Sequence, residues 1–597
     1  MKKTSNNIFR SLKIVWQSSP TWSLVNAAVV LLKGVMPLLL IFIVQMLVDE
    51  VSRVLTGDHT VQGVESVYYI LLFAGGVFVL NALLNSLSGI ISEKHAYYID
   101  DSVQDLIHKR TTKLDFANFD DYNFQNIYYR AINEATYRPK KIYYGFVGLI
   151  QNSITLALIA GLLAGLSWVL MIVLVLVSVP VVYIRLKYSR KIFVFNREHT
   201  EDERNVAYYN RLLTDKAFAK ELRVFNLSGL FKKRFEEQKN NLRGKRYGML
   251  KLKTAYELAV QLITAAALIV VFGFIASTAI QGNITQGQMV MYFLAMYRGY
   301  SFLQDLLSRI SGLYEDGLFL KNLFEFIDFD VIRYEKKNAT LFPGIMKEGV
   351  CIDNVSFKYP NSSRAALKNV SFNINPGETI ALVGANGAGK STLVKLLCGL
   401  YRPDQGSITF DGVDLSVINK DSLAENVSVV FQDFMLYNVT ARENIWYGNV
   451  KRPQSDEEIV LSAQKSGIDK LITTLPNEYD TVLGTLFKDS EMLSVGEWQR
   501  IALSRSFFNN AQLVVLDEPT SSLDAFTESR LIENFKAITK DRTAIIVSHR
   551  LSTIHLADRI VVLNERGVAE VGTPSELLEK KAAFYDMVQS MRRNGLM

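Results

Sequence analysis

Up to Leu313 the apolar residues gather in long runs, and beyond Asp328 they fall into short β-branched segments separated by helical patterns. A membrane-crossing helix needs ~20 mostly apolar residues. Residues 22–48 and 67–91 meet that length, and 142–184 is long enough for two crossings, broken near Gly161, Ala164, Gly165 and Ser167. Residues 258–280 and 289–313 complete the set, joined by the polar turn 281–286. The pattern predicts six spans, the third and fourth forming a tight hairpin. Ahead of them, Ile8, Phe9, Leu12, Val15 and Trp16 recur at helical spacing within residues 1–20. That predicts a short amphipathic helix lying along the membrane surface. The segment lacks the apolar core and small-residue cleavage site of a removable signal peptide.

Basic residues orient these spans, because cations are retained on the cytoplasmic side. Lys2, Lys3, Arg10 and Lys13 precede the first span, and the 93–141 and 185–253 connections are rich in Lys and Arg. Arg53 is the only such cation in the first opposite loop. Both termini are therefore expected in the cytoplasm, in a multi-pass protein of the cytoplasmic membrane surrounded by lipid. The two long connections have helical pattern and many charges, as if the spans continue well beyond the bilayer. Charges within a span cost ~2.5–3.5 kcal/mol or more at its centre. Lys33 is one, and Arg298 and Asp305 lie seven apart on one helical face. Either these groups line a polar path with Gln151, Asn152, Gln261 and Gln304, or they snorkel or sit beyond the bilayer on a helix extension.

At 597 residues the chain exceeds a single core, since cores stop growing near ~250–300 residues. It divides into the amphipathic helix 1–20, a transmembrane domain 21–327, a polar linker 328–349 containing Pro343 and Gly344, and a domain 350–597. The only cysteines, Cys351 and Cys398, are far apart, which excludes a disulfide framework and a thiolate zinc site. The net charge of +7 is dispersed among acids and accounted for by cytoplasmic loops, so nucleic acid is not an expected partner.

In the second half, apolar segments such as 379–383 and 513–516 alternate with helical patterns, the texture of an α/β domain with a parallel sheet. The first of them runs into Gly384, Ala385, Asn386, Gly387, Ala388, Gly389, Lys390, Ser391 and Thr392. A strand, a glycine-rich turn and a helix in that order form a phosphate-binding loop. Its backbone N–H groups and helix N-terminus face the phosphates, Lys390 adds a full charge, and Ser391 offers a hydroxyl to Mg²⁺. The segment 513–518 is a buried strand ending in Asp517, placed to hold Mg²⁺, and Glu518, placed to polarise an attacking water. Another strand ends at His549, which can hydrogen-bond the γ-phosphate.

Between these motifs, Leu493, Ser494, Val495, Gly496 and Glu497 resemble the signature motif of ABC ATPases, and nearly the whole chain resembles the exporter-type half-transporters of that family. The resemblance implies a membrane helical bundle of six spans followed by an α/β P-loop ATPase using ATP and Mg²⁺. It implies that Tyr359 stacks on adenine and that Gln432 approaches Mg²⁺ beside Ser391 and Asp517. Lys390, Gln432, Glu518 and His549 become the catalytic set. Ser521, Ser522, Leu523 and Asp524 match the loop that crosses the dimer interface. Two copies would sandwich two ATPs head to tail, Ser494 and Gly496 of one completing the site begun by residues 384–392 of the other. The complete phosphate loop, Glu518 and His549 favour a homodimer. Val495 and Glu497 depart from the usual glycine and glutamine, while the serine and second glycine remain.

Residues 115–122 and 215–227 resemble coupling-helix regions, Phe119 and Asp120 being the closest match. Leu483, Gly484, Thr485, Leu486 and Phe487, with Phe431, Gln432, Asp433 and Phe434, resemble exporters of lantibiotics and other ribosomally made peptides. No domain with a catalytic Cys and His precedes the first span, so a built-in leader peptidase is not expected. The expected activity is ATP-driven export of a peptide or other amphiphile by alternating access. Export of lipids or drugs, import, and a nucleotide-gated channel or sensor are the competing readings.

Overall fold

The computed structural model describes residues 2–56, 61–135, 137–329, 339–520, 542–565 and 567–593, together with Glu528, Ser529, Ile532, Glu533, Phe535 and Thr539. Two compact units result, one from Met1–Leu114 and Asn123–Phe329, the other from Asp115–Tyr122 and Asp330–Met597.

The helices of the first half are α1 (Lys2–Ser18), α2 (Pro20–Leu55), α3 (Val61–Thr111), α4 (Ala117–Asp120), α5 (Tyr122–Ala135), α6 (Arg138–Ala164), α7 (Trp168–Glu198), α8 (Thr200–Thr214), α9 (Ala219–Val224), α10 (Ser228–Ile280) and α11 (Gln286–Ile327). Among the described residues, α2, α3, α6, α7 and α10 are long and apolar enough to cross a membrane. The remaining expected span, 289–313, lies inside α11, where Arg298, Gln304, Asp305 and Arg309 interrupt the apolar run. Position explains the difference. Met291, Ala295, Met296 and Leu303 of α11 are buried in a core shared with Ile41, Ile159, Leu170 and Ile275 from neighbouring helices, so less of this helix has to meet lipid.

Local signals set the helix ends. Ser167 accepts from the Val169 N–H at the start of α7, closing the hairpin turn 165–167. Thr285 and Gln288 form a reciprocal capping box at the start of α11, which satisfies two otherwise unpaired backbone donors. Some polar groups inside the bundle pair across helices: the Thr155 hydroxyl donates to Gly34 O at 2.7 Å and Asn26 Nδ2 to Tyr143 Oη at 2.7 Å. Arg138 and Asp316 form a buried ion pair, with the guanidinium over the Phe319 ring. In α1, Ser11 and Val15 turn inward, while Phe9 and Trp16 are exposed. Aromatic side chains on the outer face suit a helix resting in the membrane interface.

The second unit holds an antiparallel sheet, β2-β1-β4-β5, built from β1 (Val350–Phe357), β2 (Leu367–Ile374), β4 (Gln405–Phe410) and β5 (Val413–Asp414). Its main sheet has the order β10-β9-β3-β8-β7-β6, from β3 (Thr379–Gly384), β6 (Val427–Val430), β7 (Leu513–Asp517), β8 (Thr543–Val547), β9 (Arg559–Asn564) and β10 (Gly567–Gly572). Strands β9, β3, β8, β7 and β6 run parallel, and β3, β7 and β8 are buried along their whole lengths. That is why their sequences read as continuous rather than alternating apolar runs. The helices that follow are α12 (Lys390–Leu397), α13 (Lys420–Asn426), α14 (Ala441–Trp446), α15 (Asp456–Ser466), α16 (Asp469–Ile472), α17 (Val495–Asn509), α18 (Leu551–Ile554), α19 (Pro574–Lys580) and α20 (Ala583–Arg593).

Two boundaries differ from the sequence reading. The second unit takes in residues 115–122, and the far end of the expected linker packs into it. Phe342 and Met346 are buried in its core and Thr340 bridges to Ile418. Apolar residues in a polar stretch were available there as anchors.

Candidate functional site

Parallel strands deliver their carboxyl ends to one edge of a sheet, and β3, β7 and β8 end side by side. The loop after β3 curls through three glycines of positive φ, and at two of them a side chain would also clash. At Gly384, φ is +150° and an added Cβ would come within 2.2 Å of Leu563 O; at Gly389, φ is +97°. The Lys390 ammonium is buried and donates to Gly384 O at 2.8 Å and Ala385 O at 3.0 Å, closing the loop on itself. Burial lowers its pKa, against the pull of the Glu518 and Asp517 carboxylates.

At the end of β7, burial raises the Asp517 pKa while a hydrogen bond from Ser391 opposes the rise. Glu518 follows in a left-handed conformation, φ +52°, which typically costs ~1–3 kcal/mol for a residue with a side chain. Its N–H donates to Val547 O at 2.9 Å, and its carbonyl accepts from Gln499 Nε2 at 3.0 Å. Those two bonds hold the strained turn. The Glu518 carboxylate accepts from Gln432 Nε2 at 2.8 Å and lies 3.6 Å from His549 Nε2. Burial lowers the His549 pKa, and the Lys390 charge lowers it further against the effect of Glu518. Both effects favour the neutral imidazole in this contact.

Tyr359 stands over the loop, its hydroxyl 3.1 Å from Thr392 Oγ1. Phe357 and Tyr401 meet its ring edge to face at 5.1 and 5.3 Å. Tyr401 in turn donates to Asp120 and packs on Phe116, and Lys420 pairs with Asp115. Residues 115–122 thus stand two side chains away from Thr392. Burial and the Asp120 carboxylate raise the Tyr401 pKa.

Together these groups line a cleft of about 1310 Å³ that includes Tyr359, Lys390, Ser391, Gln432, Asp517, Glu518 and His549. The donors beside the phosphate loop are a hydroxyl, a carboxylate and an amide oxygen, the hard oxygen set that suits Mg²⁺. Ser494 and Gly496 do not line the cleft. They stand at the start of α17, where Ser494 and Glu497 form a capping box. Asp524, with Ser521, Ser522 and Leu523, lies outside the described residues. Arg364 and α20, through Met587 and Ser590, also reach the cleft, and Gln499 supports Glu518. None of these carried a motif, although Gln499 follows the signature-like segment by two positions. In the helical unit, Arg298 and Asp305 are exposed on α11, Asn152 is buried, Lys33, Gln151 and Gln304 are half-buried, and Gln261 is exposed on α10.

Family comparisons agree with this division. Residues 24–299 match the ABC transporter transmembrane region and 367–521 match the ABC transporter family. The nisin transport ATP-binding protein of Lactococcus lactis is 28% identical over 97% of this chain and 95% of its own length. An ATP-dependent lipid A-core flippase of Haemophilus influenzae is 32% identical over 72% of each chain. A bacterial Atm1-family ABC exporter solved with ATP bound shares the fold, with a TM-score of 0.80 at 23% identity over 96% of this chain and 98% of that one. This chain belongs to the ABC transporter family, as a membrane-bound, ATP-hydrolysing exporter with its helical membrane unit and its ATPase on one polypeptide.

Proposed function

We propose that two copies of this chain form an exporter of the cytoplasmic membrane, with both termini and the ATPase in the cytoplasm, and that its cargo is a ribosomally made, lantibiotic-like peptide. In the proposed cycle Tyr359 stacks on adenine, and the loop from Gly384 to Thr392, including Ala385, Asn386, Gly387, Ala388 and Gly389, wraps the phosphates. Lys390 exchanges its bonds to Gly384 O and Ala385 O for phosphate oxygens. Ser391, Gln432 and Asp517 would hold Mg²⁺, which supplies neutralisation of phosphate charge. Glu518 polarises the attacking water, Gln432 and His549 hold its carboxylate in place, and His549 contacts the γ-phosphate. Ser494 and Gly496 come from the second copy, with Asp524 at the same interface. Residues 115–122 and 215–227 pass closure of the ATPase pair to the spans, and hydrolysis resets the inward-open state.

The observation that carries the ATPase part is the convergence of Gln432 and His549 on Glu518 beside Lys390. An ATP-gated channel or sensor has no need of that arrangement. The peptide cargo rests on likeness to the nisin transporter over nearly the full chain. A lipid or multidrug exporter is the second reading, favoured by the flippase relative.

ATP-dependent uptake of a modified precursor peptide into inside-out vesicles tests the proposal. Uptake that disappears in Glu518→Gln supports active peptide export. Vesicles that hydrolyse ATP without taking up the peptide refute the cargo and direct the search to lipids and small amphiphiles.

A further inference from the structure

A second concavity, of about 720 Å³, opens in the helical unit between α7, α10 and α11. Tyr183, Lys187, Arg190 and Lys191 of α7 line it, with Glu198 lower on the same helix and Tyr314 from α11. Along an ideal helix of ~1.5 Å rise, these four α7 residues lie roughly 22 to 35 Å from the Trp168 end. That range straddles the far boundary of a ~30 Å hydrocarbon layer.

Cations are expected on the cytoplasmic side of any such protein, so their presence alone means little. Their pairing is informative. Arg185 and Arg197, on the same stretch of α7, lie 3.5 Å from Glu257 and Glu325. Among the described residues Lys187, Arg190 and Lys191 have no ion-pair partner; Lys187 lies over the Tyr183 ring at 5.8 Å and Lys191 over Tyr188 at 5.3 Å. Three like charges within about one helical turn repel one another, and Glu198 offsets only one. Above them, the same helix exposes Val175, Leu176 and Val179, an apolar strip that acyl chains can cover.

We infer that this groove binds the phosphate headgroup of an anionic phospholipid from the adjacent leaflet. Its phosphate meets Lys187, Arg190 and Lys191, and its tails run past Tyr183 along the apolar strip. The apolar strip distinguishes this occupant from a free phosphate ion. The site goes beyond the transport reading and does not depend on the cargo.

Native mass spectrometry of the full-length protein, supplied with phosphatidylglycerol or phosphatidylcholine, counts the lipid retained. Each cation near an anionic lipid contributes a factor of roughly five in binding, so K187Q/R190Q/K191Q is expected to weaken phosphatidylglycerol retention at least tenfold. K187R/K191R, which keeps the charge, should retain it. K232Q/K233Q/R234Q, an equal charge change on α10 outside the groove lining, should retain it too. Equal loss in that last variant would overturn the site in favour of diffuse attraction, as would full retention in the triple groove variant. Displacement of the lipid by millimolar inorganic phosphate would overturn the lipid assignment. Loss of peptide uptake in any of these proteins bears on the cargo alone.

Discussion

The nucleotide cleft and the membrane bundle treat charge in opposite ways. In the cleft, Lys390, Asp517, Glu518 and His549 stand within one network, and each is held by a neighbour. In the bundle, Arg298 and Asp305 occupy the exposed face of α11, without an ion-pair partner among the described residues. A reaction repeated identically in every cycle benefits from charges fixed before substrate arrives. Charges on an exposed helix face remain free to exchange partners. The buried Arg138–Asp316 pair shows that the bundle can also fix charge, where the requirement is cohesion between α6 and α11.

The largest expected effect is on the cleft. Glu518→Gln should reduce ATP hydrolysis by ~10²–10⁴-fold while ATP binding persists; a loss below tenfold in a direct hydrolysis assay would remove Glu518 from the role of base. Next comes Arg138→Ala, which strands the Asp316 carboxylate in the interior and should destabilise the protein by ~3–5 kcal/mol, read as a lower unfolding midpoint in detergent. Should that variant unfold like the parent, the pair is not what ties α6 to α11. Tyr359→Ala should weaken ATP binding by ~1–3 kcal/mol, the worth of a base stacked on an aromatic ring, whereas Tyr359→Phe keeps the ring and should bind nearly as well. Equal loss in both would assign the effect to the hydroxyl bond with Thr392 instead. The smallest and sharpest test is Asp305→Asn, expected to leave ATP hydrolysis unchanged and to alter peptide uptake several-fold. Unchanged uptake would take Asp305 out of the path and erase the contrast drawn above.

Several features were readable before any fold was known because they depend on residues close together in the chain. A run of about twenty apolar residues crosses a bilayer wherever it lies, so six spans were read from the sequence, and among the described residues five of them lie in helices long and apolar enough to cross. The loop from Gly384 to Thr392 was legible because glycine spacing and the flanking strand and helix are local. The sixth, 289–313, was read as a span too, but α11 is less apolar, since its buried positions pack on neighbouring helices and its exposed face carries Arg298 and Asp305.

By itself, then, the sequence determined the order of the two units, the approximate spans and the phosphate-binding loop, each encoded by periodicity or spacing within a few turns. Only the tertiary structure decided that Gln432 and His549 meet at Glu518, that Gln499 supports its strained backbone, that residues 115–122 join the ATPase unit beside Tyr401, and that three cations of α7 share a groove with Tyr314. Those relations join residues tens to hundreds of positions apart. Strand order and helix packing set them, and neither is written in the local pattern of apolar and polar residues.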